Sequence, residues 1–195
     1  MEIFFRRVLV YLPDQRQEEI MYHFKKVVEN QFNCPYDWFR NSEYGGTALK
    51  IEEFKNITIA YIRRTGNYGF ENKIFMENFK EYLREKELLD KSSVILGIAL
   101  DNPAMTDKNK LRYDVGLIVN GNPDIALDIR KIPDGIYAVF ELPHTEQDIT
   151  AFWSNIQKLV GSLSVDETKP VIERYPADKV AKHLCEFCIP LKKLS

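Results

Sequence analysis

Cysteine is scarce in this chain. Cys34, Cys185 and Cys188 are three in 195 residues. That is an odd number and too few to staple a secreted fold, so a reducing, cytoplasmic setting is expected. Long apolar runs are missing too: no stretch approaches the roughly 18 residues of a membrane span. Met1 to Tyr11 is too short for a secretory signal and lacks a small-residue cleavage site. No block of one charge stands out. The 27 basic and 29 acidic side chains are well mixed, for a net charge of −2, which disfavours specific nucleic-acid binding through the phosphate backbone. There is no glycine-rich phosphate loop, and no Ser-His-Asp or His-Glu-x-x-His pattern, so no nucleotide cofactor is expected. Cys185-Glu186-Phe187-Cys188 has the spacing of a metal or redox motif, but no second Cys or His pair completes a tetrahedral set, and no metal is expected. On a strand, residues three apart project to opposite faces, so these two sulfurs should not meet.

What is present is a pattern written twice. With 45% hydrophobic residues, the chain is long enough to bury roughly 70% of its unfolded surface in one core. Ile57 to Val119 reads strand, helix, strand, strand, and Ile136 to Leu191 reads the same again. The first helix, from about Phe70 to Leu89, carries Ile74, Phe75, Met76, Phe79, Tyr82 and Leu83 on its apolar stripe. In the second, Ile149, Phe152, Trp153, Ile156, Leu159 and Val160 recur at helical spacing, and Thr145 with Asp148 resembles a capping box. Val94 to Leu100 and Arg112 to Val119 are joined by Ala104 to Leu111, too short for a helical crossover, which predicts an antiparallel hairpin. Val171 to Tyr175 and His183 to Ile189 form the closing pair, with Pro190 expected to end the ladder. The expected fold class is α+β: two βαββ units with antiparallel sheets, facing each other across a groove. Residues 1–45 read as a helical N-terminal segment, with Ile20, Phe24, Val27, Val28 and Phe32 at helical spacing. Gly45-Gly46 marks a linker, and residues 49–195 read as the main domain.

The sharpest local signal is Val171-Ile172-Glu173-Arg174-Tyr175. Alternation sets Val171, Glu173 and Tyr175 on one face, Ile172 and Arg174 on the other. If the first face points inward, a carboxylate enters an aromatic interior, and such a pocket selects flat cations by charge and ring-face attraction. The plain alternative is an edge strand with Glu173 and Arg174 both in solvent. Tyr61, Tyr113, Tyr137, Trp153 and Tyr175 lie on repeat elements; they are either core or the wall of a polar-tipped cavity. Asp101 and Asp114 read as turn and edge residues.

Ala60-Tyr61-Ile62-Arg63-Arg64-Thr65-Gly66-Asn67-Tyr68 resembles the opening motif of GyrI-like domains, also called AraC effector-binding domains. Gly97 to Pro103, Arg112 to Gly116, Tyr137 to Glu141, Trp153, Lys169 to Tyr175 and Ile189 to Lys192 resemble the motifs that follow in that family. The likeness spans residues 49–194. It implies a pseudo-two-fold pair of βαββ units that binds an aromatic or cationic small molecule between the repeats. Glu173 matches the family's pocket glutamate, and Tyr175, Trp153, Tyr137, Tyr113 and Tyr61 are the wall candidates. The role implied is a sensing or sequestering protein. The alternatives are a hydrolase of strained, cyclopropanoid molecules with Glu173 as its catalytic residue, or a gyrase-interacting protein with a protein partner. Many relatives carry an aromatic where this chain has Cys188. The front end, His23-Phe24 through Phe39-Arg40, resembles a degenerate tail of the second helix-turn-helix of AraC-type regulators, without the first; the plain alternative is an unrelated helical extension that packs on the sheet.

Overall fold

The computed structural model describes residues 48–121, 125–160 and 163–192. The helical segment expected over 1–45 lies outside the described residues. In chain order the elements are β1 (Ala48–Phe54), β2 (Thr58–Thr65), α1 (Phe70–Glu85), β3 (Val94–Ala99), β4 (Arg112–Val119), β5 (Asp128–Lys131), β6 (Gly135–Pro143), α2 (Glu146–Val160), β7 (Val171–Pro176), α3 (Ala177–Val180) and β8 (Leu184–Leu191).

The doubled pattern is one continuous antiparallel sheet, in the order β1-β6-β8-β7-β3-β4-β2-β5. The first unit, β2-α1-β3-β4, and the second, β6-α2-β7-β8, meet where β3 pairs with β7. Sequence patterning alone leaves β1 and β5 unseen. Each precedes one unit and adds a strand to the outer edge of the other, β1 on β6 and β5 on β2. Strand β7 is therefore central, flanked by β3 and β8, and the edge-strand alternative for Glu173 and Arg174 does not hold. Pro190 does not end the ladder. It pairs with Tyr137 and strand β8 runs on to Leu191.

Local chemistry sets the helix ends. The Thr145 hydroxyl accepts the Asp148 N–H at 3.1 Å, as the capping pattern predicts. Helix α1 stops at Glu85, short of the expected Leu89. Glu87 takes a left-handed φ of 54°, while the N–H groups of Leu88 and Glu87 close back on the carbonyls of Leu83 and Arg84. This is a Schellman ending, with a glutamate where glycine is usual, so composition gives no signal of it.

Both helices cover one sheet face. There Met76, Phe79 and Leu83 of α1 and Phe152 of α2 pack with Val115, Phe140, Phe187 and Ile189. A second apolar layer, with Phe54, Ile59, Leu96, Ile98, Val139 and Ile172, lies on the other face. Two fully buried carboxylates stand in the middle of strands there. Asp114 accepts Arg63 Nε at 2.6 Å and Arg130 Nε at 2.9 Å, so it is an interior residue of β4, not an edge residue. Glu186 accepts Arg174 Nε at 2.6 Å and lies within 2.7 Å of Lys179 Nζ and 3.1 Å of Lys50 Nζ. Burial alone would raise the Glu186 pKa, but Arg174 and the two lysines hold it down at about 2. The two cysteines diverge as the strand period requires: Cys185 joins the helix-side core and Cys188 the opposite layer.

Candidate functional site

The candidate site starts from a missing side chain. Gly97 sits mid-strand in β3, directly across from Glu173 on β7. A Cβ at Gly97 would fall 2.2 Å from the Tyr113 hydroxyl and 3.0 Å from Glu173 Oε2. The glycine is the space in which those two groups meet. Into that space Tyr113 donates its hydroxyl to Glu173 Oε2 at 3.0 Å, and Tyr175 donates to the same oxygen at 2.9 Å. Among the described residues Oε1 has no hydrogen-bond partner. The row across the sheet reads Val115, Gly97, Glu173, Phe187, Phe140. It faces the helices, with α1 against β4 and α2 against β6 on either side. The carboxylate thus stands at the floor between the two helices, half-buried rather than in bulk water.

Aromatic groups frame this floor. Trp153 of α2, 38% exposed, packs edge-on to Phe187 with centroids 5.4 Å apart, and Phe187 is the register partner of Glu173. Tyr68, at the turn before α1, lies edge-on to Tyr113 at 6.2 Å. Its hydroxyl donates to the Arg112 carbonyl at 2.9 Å and accepts the Asp101 N–H at 3.1 Å, which ties the site wall to the loop after β3. On the far side of Tyr175 lie the His144 ring, at 5.2 Å, and Lys80 Nζ, at 5.8 Å from the ring centre.

The electrostatics follow from burial. Desolvation raises the Glu173 pKa above the ordinary carboxylate range, although the Tyr175 and Tyr113 hydroxyls act to lower it. Burial, and then the Glu173 charge, push both tyrosines well above the usual phenol range, so both remain donors. The result is an acidic group with one oxygen committed to two hydroxyls and, among the described residues, no positive side chain bonded to it. Among the described residues no group of three His, Cys, Asp or Glu could hold a metal.

Of the residues singled out in the sequence, the structure brings Glu173, Tyr113 and Tyr175 into contact and sets Trp153 beside their row. It does not bring Tyr61 or Tyr137 there. Tyr137 is buried on the opposite face, stacked on Phe54 at 4.2 Å. Tyr61 lies on that face too, between the Arg63 and Arg130 guanidiniums at 5.5 and 5.2 Å. The one-residue alternation of β2 and β6 decides this. Cys188 also faces that side, so its departure from the family pattern leaves the Glu173 row untouched. Gly97 and Phe187 are not among the site residues that the sequence suggests. A glycine inside an apolar strand was the available signal for the first, since it marks a close approach.

A family model for the GyrI-like small-molecule-binding domain matches residues 47–192. The SPbeta prophage-derived protein YosT of Bacillus subtilis (strain 168) is 38% identical over 148 residues, 74% of this chain and 99% of YosT. In solved structures, SAV2435 bound to tetraphenylphosphonium is similar at TM-score 0.55 and 16% identity, over 74% of this chain and 94% of that one. EcmrR, from its complex with DNA, is similar at TM-score 0.59 and 13% identity, over 93% of this chain and 71% of that one. At those identities the two structures establish the shared fold alone. The sequence matches establish the family: this chain belongs to the GyrI-like small-molecule-binding domains.

Proposed function

We propose that the groove between α1 and α2 binds an aromatic organic cation, with Glu173 supplying the charge complement and Tyr113, Tyr175 and Trp153 the aromatic contacts. The observation that carries this reading is the half-satisfied carboxylate: Oε2 is fixed by two hydroxyls, while Oε1 has no partner among the described residues. A cation clothed in aromatic rings would meet the negative charge and pack against the site's own rings, each cation–ring contact worth about 0.5–2 kcal/mol. The relatives support the class of ligand and role. SAV2435 was solved with tetraphenylphosphonium, and YosT is named as a candidate transcriptional regulator. The effector role proposed here is sensing or sequestration of such a compound.

Titration with tetraphenylphosphonium tests the reading. Glu173→Gln keeps the shape and removes the charge, and is expected to weaken binding by about tenfold or more, the value of a charge-assisted contact of at least ~1.4 kcal/mol. The parent's affinity should also fall as the pH drops through the raised Glu173 pKa, because the cation binds the ionised form more tightly than the neutral one. Equal affinity of parent and variant at every pH refutes the electrostatic role.

A further inference from the structure

A cavity of about 360 Å³ opens on the helix side beyond Tyr175, between α1, β3 and α3. Its size lies within the ~300–1,000 Å³ typical of small-molecule sites. The body is apolar: Leu89, Ile95 and Val180 line it with the Tyr175 ring. Unlike the Glu173 floor, it is lined by two cations as well as one acid, Asp90. Lys80 and Arg84, one helical turn apart on α1, both line it. Lys80, 16% exposed, is paired at 2.8 Å with Glu77, whose own side chain is exposed. Arg84 has no carboxylate within ion-pair distance among the described residues. The acid of the lining, Asp90, is turned into its own loop: its Oδ1 accepts the Ser92 N–H and hydroxyl at 2.7 Å and the Ser93 hydroxyl at 3.1 Å.

We infer that this cavity is a second binding site, for an organic anion: an apolar body carrying one carboxylate or sulfonate. The acid group would lie between Lys80 and Arg84, where a charge-assisted hydrogen bond is available from each. The body would cover Leu89, Ile95 and Val180, with one face on Tyr175. Tyr175 then serves both sites, with its hydroxyl on Glu173 and its ring as wall of the cavity. The inference stands apart from the cation reading, because none of its charge comes from Glu173.

The test is fluorescence titration of the full chain with 1-anilinonaphthalene-8-sulfonate, which has both required features. Arg84→Ala is expected to weaken binding about tenfold, equivalent to ~1.4 kcal/mol. Val180→Trp, which fills the mouth, is expected to weaken it at least as much. Glu173→Gln is expected to leave dye affinity unchanged while reducing tetraphenylphosphonium affinity. Tetraphenylphosphonium binding by Arg84→Ala and Val180→Trp, together with parental circular dichroism, reports that both variants fold. Parental dye affinity in both overturns the inference, as does loss of dye binding in Glu173→Gln.

Discussion

The Gly97 gap makes the most exacting prediction. Gly97→Ala places a methyl 2.2 Å from the Tyr113 hydroxyl and 3.1 Å from Tyr113 Cζ, against the ~3.5 Å or more of an ordinary contact. The Tyr113 ring is buried and cannot swing freely into solvent, so its hydroxyl must leave Glu173. The cost is one hydrogen bond to a charged group, about 1.5–3 kcal/mol, plus overpacking of about 1–3 kcal/mol. Loss of glycine's unfolded-state freedom offsets roughly 0.4–1 kcal/mol. The net expectation is about 2–5 kcal/mol of destabilisation, or a Tm lower by roughly 5–15 °C in a domain of this size. Tyr113→Phe removes the clashing atom and leaves the ring. In that background Gly97→Ala should cost about 1 kcal/mol or less, so the two changes should show a coupling of roughly 1–3 kcal/mol. Urea unfolding followed by tryptophan fluorescence, with Trp153 beside the site, gives all four corners of the cycle. Additivity within about 0.5 kcal/mol would falsify the assignment of Gly97 as the space that holds the Tyr113–Glu173 bond.

Two further predictions concern the titration of acids with opposite displacements. Glu186, held at about 2, binds protons more weakly in the native state than when unfolded. Its stabilisation is therefore complete above its ordinary range and is lost as pH falls through about 2, for a total of order 3 kcal/mol. Acid unfolding of Glu186→Gln should lack that limb, and an unchanged acid midpoint would contradict the pairing. Glu173 has the other sign: its native pKa is raised, so its ionisation costs stability as pH rises from the ordinary carboxylate range through the raised value. Glu173→Gln should thus match the parent's Tm near pH 4 and exceed it at pH 7 without ligand; a Tm gap that moves the other way with pH would reverse the burial argument.

The central architecture was legible because its signals are periodic. Alternation set Val171, Glu173 and Tyr175 on one face, and the structure confirms it, with Arg174 turned away onto Glu186 and Glu52. The same rule separated Cys185 from Cys188. The charged strands were less legible. Strand β1 reads Ala-Leu-Lys-Ile-Glu-Glu-Phe and β5 only Asp-Ile-Arg-Lys, edge sequences whose polarity guards unpaired backbone and hides them from a search for apolar runs. Residue type alone groups Tyr61 and Tyr137 with the site. Which face an aromatic occupies depends on the register of its own strand relative to the helices, and nothing in a tyrosine announces that. Asp114 was unreadable for a related reason: its two arginines come from β2 and β5, 51 and 16 residues away.

The two-fold relation explains why the site is where it is. Asp114 and Glu186 are each the third residue of their eight-residue strands, both fully buried on the face away from the helices. Asp114 pairs with Ile98, and Glu186 with Arg174. The residues just before those partners, Gly97 and Glu173, are therefore equivalents, and they pair with each other across the junction of the two units. Equivalent positions on the axis are in contact, so an acid at both would set two carboxylates face to face at one half-buried point, a costly arrangement without a cation. An acid at one and no side chain at the other resolves the conflict. It also opens room for Tyr113 to reach across from β4 and grip the remaining carboxylate. Where the halves agree, the acids are ion-paired, Asp114 with two arginines and Glu186 with an arginine and a lysine. Where they must differ, one carboxylate oxygen is left without a partner among the described residues, and that is the position from which a cation can be drawn in.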